Sequence, residues 1–264
     1  KQQKERQMDS ILQITLLANA GLLLEYQGCK ILLDGLFDKS GNLFTAPHPE
    51  ILQQLIQGQG EFSDITCVLI SHTHEDHFSA DVLKEYLARQ QPKEIFLPAT
   101  ALQRHPELWH LISEKQVACV PLTPGESAAA FHIADNIIIR PISTRHLDAV
   151  FQDVDHFCYL VSFDGKSVLF TADADYTKDS FPTLRSAELS AVFLNPLFYH
   201  ALCNGAHCKS VLHTEKFCIY HVPAEDNDPY RMRTMLHKDV AKCSASETFS
   251  IILDDPGQKI RLSL

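Results

Sequence analysis

The sequence predicts an α/β protein in which two stacked sheets are covered by helices on their outer faces. Strand-length apolar runs cluster in each half of the chain, and helix-like segments lie between them. No segment rich in Pro, Gly or Ser separates the halves, and 264 residues with 45% hydrophobic content can bury a large core. We therefore expect residues 1–264 to form a single domain, with residues 1–7 as a frayed polar leader.

The first half opens with three short apolar runs, at residues 11–17, 21–26 and 30–33. Gln27-Gly28 supplies a turn between the second and third runs, which predicts an antiparallel meander. Helices and strands then alternate. We expect helices at 47–57, 79–90 and 99–112, and strands at 65–70, 94–98 and 116–120.

The second half contains four predicted strands at 128–133, 137–142, 157–163 and 167–171, with Asp164-Gly165 as a hairpin turn. A helical or loop segment leads to a further strand at 191–194. A helix at 229–240 follows, and the chain is predicted to end in a strand pair, 249–253 and 258–263, joined across residues 254–257.

Composition limits the partners. The formal net charge is 23 − 33 = −10, and there is no Lys/Arg cluster, so nucleic acid is disfavoured and a small-molecule substrate is expected. No apolar run is long enough to insert into a membrane. Cys29, Cys67, Cys158 and Cys218 lie in or beside apolar strand runs, which predicts reduced core cysteines in a cytoplasmic protein. Nothing in the sequence indicates the oligomeric state.

The most informative stretch is His72-Thr73-His74-Glu75-Asp76-His77, which directly follows the predicted strand 65–70. Side chains alternate on an extended strand, so His72 and His74 point the same way and supply half of a tetrahedral metal site. Asp76 and His77 fall where the chain turns toward the next helix and can aim at a second point. One turn therefore offers ligands for two adjacent metal ions.

Further acids and histidines follow other predicted strands. Asp34 ends the run 30–33, His146 follows 136–142, Asp173 follows 167–172 and His221 follows 216–220. The spacing H-x-H-x-D-H, with these residues in this order, resembles the metallo-β-lactamase superfamily over about residues 11–264. The resemblance implies a four-layer αβ/βα sandwich with a metal site at one edge between the two sheets.

The resemblance also implies a ligand set. His72, His74 and His146 would hold one divalent ion, Asp76, His77 and His221 a second, and Asp173 would bridge them, with Asp175 as a weaker alternative for the bridge. Zn²⁺ suits these ligands best, and Mn²⁺ or Fe²⁺ could replace it.

Two acids receive further roles. Asp76 would orient a hydroxide held between the ions. Asp34 would accept hydrogen bonds from the ligand-bearing turn and fix an imidazole, unless it is a simple turn residue.

The implied function is metal-dependent hydrolysis of a small ester, lactone or phosphodiester. The sequence looks most similar to the group of ascorbate-6-phosphate lactonase and N-acyl phosphatidylethanolamine phospholipase D. Residues 31–34, Ser71-His72 and 220–223 carry that similarity. A nuclease similar to ribonuclease Z shares the ligands, although the basic arm of that enzyme is missing here. A non-catalytic metal-binding protein is the third alternative.

Substrate contacts are predicted from position along the chain. Phe44, in the segment 37–48 that follows Asp34, and Tyr199 are candidates for apolar contacts. His156 could reach the pocket as a substrate contact or proton donor, or act as a capping or core residue. Arg145 could bind an anion or lie on the surface.

The segment 198–214 also carries possible ligands. We expect it to line the pocket mouth, although four of its side chains could instead form an extra zinc site: Cys203, His207, Cys208 and His213.

Overall fold

A computed structural model of the chain describes residues 11–39, 43–125, 129–147, 149–151, 153–176, 181, 188–205, 212–214, 216–243 and 249–264. The first sheet is built from β1 (Ile11–Ala18), β2 (Gly21–Tyr26), β3 (Cys29–Leu33), β4 (Cys67–Leu69), β5 (Glu94–Pro98), β6 (Ala118–Leu122) and β14 (Lys259–Ser263). The second contains β7 (Phe131–Ala134), β8 (Ile137–Thr144), β9 (His156–Phe163), β10 (Lys166–Phe170), β11 (Leu189–Leu194), β12 (Lys216–Ile219) and β13 (Phe249–Ile252). The helices are α1 (Pro49–Gln57), α2 (Ala80–Arg89), α3 (Ala99–Arg104), α4 (Pro106–Glu114), α5 (Pro196–Cys203) and α6 (Met232–Cys243).

The first sheet has the strand order β14-β1-β2-β3-β4-β5-β6. Strands β1 to β3 form the predicted antiparallel meander, and Gln27 and Gly28 adopt the positive φ angles of a tight turn. From β3 to β6 the strands are parallel, with helices in the connections between β3 and β4, β4 and β5, and β5 and β6. Parallel strands end at the same edge, so the loops after β3 and β4 emerge side by side.

The second sheet has the order β13-β12-β11-β10-β9-β8-β7. Strands β7 to β10 are antiparallel, and the predicted Asp164-Gly165 turn joins β9 to β10 with positive φ at both residues. Strands β10 to β13 are parallel. The loops that follow β10 and β12 therefore leave the same edge of this sheet.

Four layers result from the distribution of apolar side chains. One buried cluster lies between the sheets and combines residues such as Leu24 and Phe96 of the first with Tyr159 and Phe193 of the second. A second cluster packs α1, α2 and α4 on the outer face of the first sheet, and a third packs α5 and α6 on the outer face of the second. The predicted αβ/βα sandwich is confirmed.

Two predicted elements differ from the observed ones. The expected helix 99–112 is two helices, α3 and α4. Proline has no backbone N–H to donate within a helix, so Pro106 ends the first helix and begins the second. The expected closing pair is wrong: β13 pairs with β12 in the second sheet, whereas β14 pairs with β1 in the first. Residues 254–257 therefore cross between the sheets.

The segment from Phe198 was expected to be a loop at the pocket mouth, and its first part is instead helix α5. The Asn195 side chain caps this helix by accepting a hydrogen bond from the N–H of Phe198 (2.9 Å), and Pro196 occupies the first turn. Phe198 and Leu202 are buried against the second sheet. Burial of this apolar face explains why the helix forms in a His- and Cys-rich segment.

The thiols of Cys29, Cys67, Cys158 and Cys218 are free, as predicted, and three of these side chains are buried. A disulfide that was not predicted joins Cys203 at the end of α5 to Cys243 at the end of α6. None of the helices in the described ranges is long and apolar enough to cross a membrane.

Candidate metal centre

The predicted ligands lie in loops that directly follow strands of both sheets. Asp34 follows β3, His72 lies three residues after β4, and His146 lies two residues after β8. Asp173 lies three residues after β10 and His221 two after β12. The edge at which the two sheets face each other therefore gathers residues that are far apart in sequence.

Four side chains form the first group. Nε2 of His72 lies 3.0 Å from Nδ1 of His74, and the ring centroid of His146 lies 4.7 Å from that of His74. Together with Asp173, these residues can each offer a ligand atom within 4.8 Å of the others. His72 is fully buried and His146 almost so. The group contains the three imidazoles expected for one ion.

The second group contains Asp76, His77 and His221, which can also place their ligand atoms within 4.8 Å of one another. Nε2 of His77 faces Nε2 of His221 at 3.0 Å, and Oδ2 of Asp76 lies 3.4 Å from Nε2 of His221. This set is the one expected for the second ion.

The carboxylate of Asp173, a member of the first group, also faces the second group. Its Oδ2 is 3.8 Å from Nε2 of His72 and 3.5 Å from Nε2 of His146, both in the first group. The same oxygen is 3.5 Å from Nε2 of His77, and Oδ1 is 3.4 Å from Nε2 of His221. One carboxylate thus reaches imidazoles of both groups.

The chemistry of these donors fits divalent transition metals. Tetrahedral Zn²⁺ with bonds of about 2.0–2.1 Å places neighbouring nitrogens roughly 3.3 Å apart, close to the 3.0 Å of the pairs His72–His74 and His77–His221. Imidazole nitrogens at this spacing can bind one ion once both rings are deprotonated. Imidazole and carboxylate ligands suit Zn²⁺, Mn²⁺ and Fe²⁺.

Burial and charge interactions shift histidine pKa values in opposite directions in the two groups. Burial by itself would lower the pKa of both His77 and His221. Asp76, Asp173 and Asp34 nevertheless raise the pKa of His77 well above its usual value, and Asp173 and Asp76 raise that of His221 to about 9. In the first group, burial and neighbouring imidazoles lower the pKa values of His72 and His74.

The pKa values of the two carboxylic acids, Asp76 and Asp173, are lowered by the histidines that face them. Burial would raise the pKa of Asp76, but His77 and His221 hold it at about 2. Burial is likewise outweighed at Asp173, whose pKa is well below its usual value because His221, His146 and His77 face it. Both acids are therefore ionised at neutral pH, as metal ligands must be.

Asp34 supports the His-rich turn. Its Oδ1 accepts a hydrogen bond from the backbone N–H of Ser71 (2.7 Å), and its Oδ2 accepts one from the Ser71 hydroxyl (2.6 Å). Oδ2 also lies 3.0 Å from Nδ1 of His77. A carboxylate on Nδ1 directs the opposite nitrogen, Nε2, toward the centre, which is the contact expected of a residue that orients a ligand.

Asn19, in the turn between β1 and β2, is a site residue that sequence reasoning missed. Its Nδ2 donates hydrogen bonds to Oδ2 of Asp76 (3.0 Å) and to the backbone carbonyl of Asp76 (3.2 Å). Its backbone carbonyl accepts from the N–H of His221 (3.2 Å). The remaining amide oxygen, Oδ1, is buried and has no hydrogen-bond partner among the described residues. A lone Asn after an apolar strand carries no signal of this role in sequence.

His156, predicted as a substrate contact or as a capping or core residue, is buried beside the first group. Its Nε2 accepts a hydrogen bond from the backbone N–H of Asp173 (3.1 Å), so in the neutral ring Nδ1 carries the proton and donates to Oγ1 of Thr144 (2.7 Å). Burial lowers the pKa of His156 to about 3. The His156 side chain therefore holds the backbone of the loop that carries Asp173.

The loops that carry His146 and Asp173 are paired directly. A single antiparallel bridge joins His146 to Ala174, with Leu147 N–H donating to the Asp173 carbonyl at 2.8 Å. Beside this bridge, the guanidinium of Arg145 forms an ion pair with Asp175 at 3.3 Å. Asp175 therefore faces Arg145, and the position between the two groups belongs to Asp173.

Several of the loops adopt unusual backbone angles. Asn19, Asp34, Ala172 and His221 all have positive φ, between 45° and 59°, which non-glycine residues rarely adopt. Hydrogen bonds hold these conformations. The hydroxyl of Tyr220, for example, accepts from the N–H of Ala172 at 2.9 Å. Asn, Asp and His adopt this conformation more readily than other non-glycine residues, and Asn19, Asp34 and His221 all carry side chains of the site.

Two aromatic rings flank the centre. Phe44 contacts His221 edge-on, with ring centroids 4.1 Å apart, and the carbonyl of the preceding residue, Leu43, accepts a hydrogen bond from Ala224 (3.1 Å). Phe151, which was not predicted, contacts His74 (4.5 Å) and His146 (5.3 Å) from a short 3₁₀ turn at 149–151.

The structure corrects two other expectations. Tyr199 is 1% exposed on α5, and its hydroxyl bonds Ser250 at 2.7 Å, so its ring lies in the outer core and is inaccessible to a substrate. The extra zinc site, which was only the alternative interpretation of this segment, would lack one of its four ligands because Cys203 is bonded to Cys243. His207 and Cys208 lie outside the described residues, and His213 forms an isolated bridge with Glu188.

Comparisons with known proteins give a family match and a set of solved structures with a similar fold. The family described as "Beta-lactamase superfamily domain" matches residues 30–201. None of the curated proteins compared matches the sequence.

Several solved structures share the fold. A metallo hydrolase named Igni18 from Ignicoccus hospitalis KIN4/I is 16% identical with a TM-score of 0.60, covering 96% of this chain and 99% of that one. The metallo-beta-lactamase fold protein YhfI from Bacillus subtilis is 15% identical with a TM-score of 0.62, covering 96% and 99%. An isothiocyanate hydrolase from Delia radicum gut bacteria is 17% identical with a TM-score of 0.62, covering 96% and 100%.

Proposed function

The chain belongs to the beta-lactamase superfamily, and from that premise we propose that it is a metal-dependent hydrolase of a small ester, lactone or phosphodiester. The single observation that carries the proposal is the position of Asp173. Its carboxylate lies within 3.4–3.8 Å of four imidazoles that belong to two separate ligand groups. A carboxylate so placed is suited to share its charge between two cations, whose mutual repulsion it would lower.

We propose that His72, His74, His146 and Asp173 hold one divalent ion, and that Asp76, His77 and His221, with Asp173, hold the other. Zn²⁺ is the preferred occupant, with Mn²⁺ or Fe²⁺ as alternatives. Ions bound there would supply Lewis acidity, which polarises a scissile carbonyl or phosphoryl group and lowers the pKa of water toward neutrality.

The chain's own residues then have distinct tasks. Asp76, whose pKa is about 2, is ionised at neutral pH and can accept a hydrogen bond from the attacking water. Asn19 fixes the orientation of that carboxylate through its bond to Oδ2. Asp34 and His156 hold His77 and the Asp173 loop from the protein side, so the acceptor geometry is set before substrate arrives.

Within the superfamily, we place the chain nearest to the ascorbate-6-phosphate lactonase and N-acyl phosphatidylethanolamine phospholipase D group. Support comes from sequence alone, in residues 31–34, Ser71-His72 and 220–223. Neighbours of similar fold include proteins described as a metallo hydrolase and an isothiocyanate hydrolase, which supports hydrolysis as the reaction class.

The proposal is tested by assaying protein of measured metal content on panels of esters, lactones and phosphodiesters, before and after chelation. Hydrolysis that disappears on chelation and returns with Zn²⁺ or Mn²⁺ is expected. The variants Asp76→Asn and His146→Ala should each lose activity, whereas Asp81→Asn and His110→Ala, on the outer helices, should retain it. Activity that survives chelation, or that both site variants retain, would contradict the proposal.

A further inference from the structure

We propose that the substrate carries an apolar acyl, alkyl or aryl group, and that Phe44 and Phe151 bind this group beside the reacting centre. The inference rests on the proposed function and narrows its substrate class. It concerns two side chains from separate loops, one in the segment after β3 and one between β8 and β9, that contact different ligand groups.

The two rings lie at opposite ends of one chain of ring contacts. Phe44 contacts His221, which in turn lies 5.0 Å from the ring of His77. From His77 the contacts continue to His72 (4.0 Å) and then to His74 (4.6 Å). Phe151 closes the series at 4.5 Å from His74. A group bound near the centre thus has an aromatic surface next to each set of proposed ligands.

Phe151 exposes 40% of its surface and its neighbour Val150 exposes 76%, although both are large apolar residues. Phe44 is partly exposed. An apolar side chain left in water beside a polar centre forgoes the free energy of burial, and that free energy becomes available when an apolar ligand covers it. Apolar walls with a few polar groups are typical of small-molecule sites.

The charges near the centre favour an apolar group over an anionic one at this position. Arg145, the basic neighbour of His146, is paired with Asp175 at 3.3 Å, and its charge is therefore largely compensated. The chain as a whole carries a formal charge of −10. The described flanks of the centre at Phe44 and Phe151 present aromatic rings where an anion-binding site would present guanidinium or ammonium groups.

The experiment measures binding, so it is independent of turnover. Acetohydroxamate and octanohydroxamate share a metal-binding head and differ by six methylenes. We expect octanohydroxamate to bind Zn²⁺-loaded protein on the order of 50-fold more tightly by calorimetry, from about a twofold gain per methylene at a half-exposed surface. Phe44→Ala and Phe151→Ala should each reduce this ratio by about fivefold.

Two controls separate this effect from general damage. Trp109→Ala removes an aromatic ring that is 47% exposed on α4 and should leave the ratio unchanged. Phe151→Leu keeps an apolar side chain and should retain most of it. Equal affinities of the two hydroxamates, no binding of either, or alanine variants that keep the full ratio would overturn the inference.

The outcome is separable from that of the proposed function. A protein that shows the chain-length ratio but hydrolyses nothing supports the apolar subsite and contradicts the hydrolase. Hydrolysis with affinities that do not depend on chain length supports the hydrolase and contradicts the subsite.

Discussion

The amide Nδ2 of Asn19 donates to Oδ2 of Asp76 at 3.0 Å, and the two residues are 57 positions apart. The backbone carbonyl of Asn19 also accepts from His221 N–H. A turn that contributes no ligand thereby holds two members of the second group, one by its side chain and one by its main chain. Outer contacts of this kind orient ligands and tune their affinity for metal.

Replacement of Asn19 by alanine should selectively lower the affinity of the second group for its metal ion. Loss of the bond to Asp76 frees the carboxylate to rotate, and changes at such supporting residues cost roughly 10- to 100-fold in metal affinity. Stepwise Zn²⁺ titration should show one weakened site and one of wild-type affinity. Asn136→Ala, which breaks an exposed side-chain bond to Gln27, is the matched control. Equal weakening of both sites would contradict this role.

Asp173→Asn should lower the affinity for both metal ions. In contrast, Asp76→Asn should lower the affinity for one of them. The amide keeps the shape of the side chain but removes the negative charge that lies between the two groups. Metal content after dialysis, measured by mass spectrometry, should fall toward zero per chain for Asp173→Asn and toward one for Asp76→Asn. Two retained ions in Asp173→Asn would show that this carboxylate does not bridge.

Acid should destabilise the protein partly through His156. Burial lowers the pKa of this residue to about 3, below the unfolded value of about 6.5. Between these two pKa values, His156 binds a proton in the unfolded chain and stays neutral in the native state. Stability is therefore lost as the pH falls from about 6.5 toward 3. His156→Gln can still accept from Asp173 N–H without titrating, so its urea midpoint should depend less on pH in this window. An unchanged dependence would contradict the assignment.

His156→Ala separates the hydrogen bond from the charge. This variant leaves the buried N–H of Asp173 without its acceptor and creates a cavity, which should cost about 2–4 kcal/mol. His156→Gln should recover most of that loss. Unfolding of both variants in urea at pH 7.5 checks the comparison, and His132→Ala, on the exposed part of β7, serves as a surface control.

Metal-free protein should become less stable as the pH rises from 6.5 to 8.5. The pKa of His221 is raised to about 9 and that of His77 is raised further, so protonated rings stabilise the fold below about 6.5 and this stabilisation is lost through the folded pKa. Metal-loaded protein should show no such decline, because metal binding requires deprotonated imidazoles. Denaturation at three pH values, with and without chelator, measures both trends. Rising stability of the metal-free protein would contradict the prediction.

The sequence predicted the layers and most strands because their apolar runs have strand periodicity and clear turn residues, as at Gln27-Gly28 and Asp164-Gly165. The partner of a strand is harder to predict. β13 and β14 look like a hairpin in sequence, but β13 pairs in parallel with β12 and β14 pairs antiparallel with β1, in different sheets. Such tertiary preferences leave no local pattern.

The candidate ligands were predictable since they stand at strand ends with a specific spacing, and the structure brings all seven into two neighbouring groups. The supporting residues were not predictable to the same degree. Asn19 acts through positive φ and a long-range bond, and Phe151 lies in a turn of the second sheet but contacts His74, which follows a strand of the first. Tyr199 was misplaced because the helix that buries it lies in a segment without an evident apolar repeat.

The pairing of β14 with β1 joins two strands that lie far apart in the described part of the chain. During synthesis, this edge of β1 lacks its neighbour until residues 259–263, which lie far later in the sequence, have left the ribosome. Its backbone N–H and C=O groups are meanwhile open to strands of other nascent chains. Pairing of residues 259–263 with β1 therefore protects this edge. Deletion of that strand should promote aggregation rather than displace the candidate metal ligands.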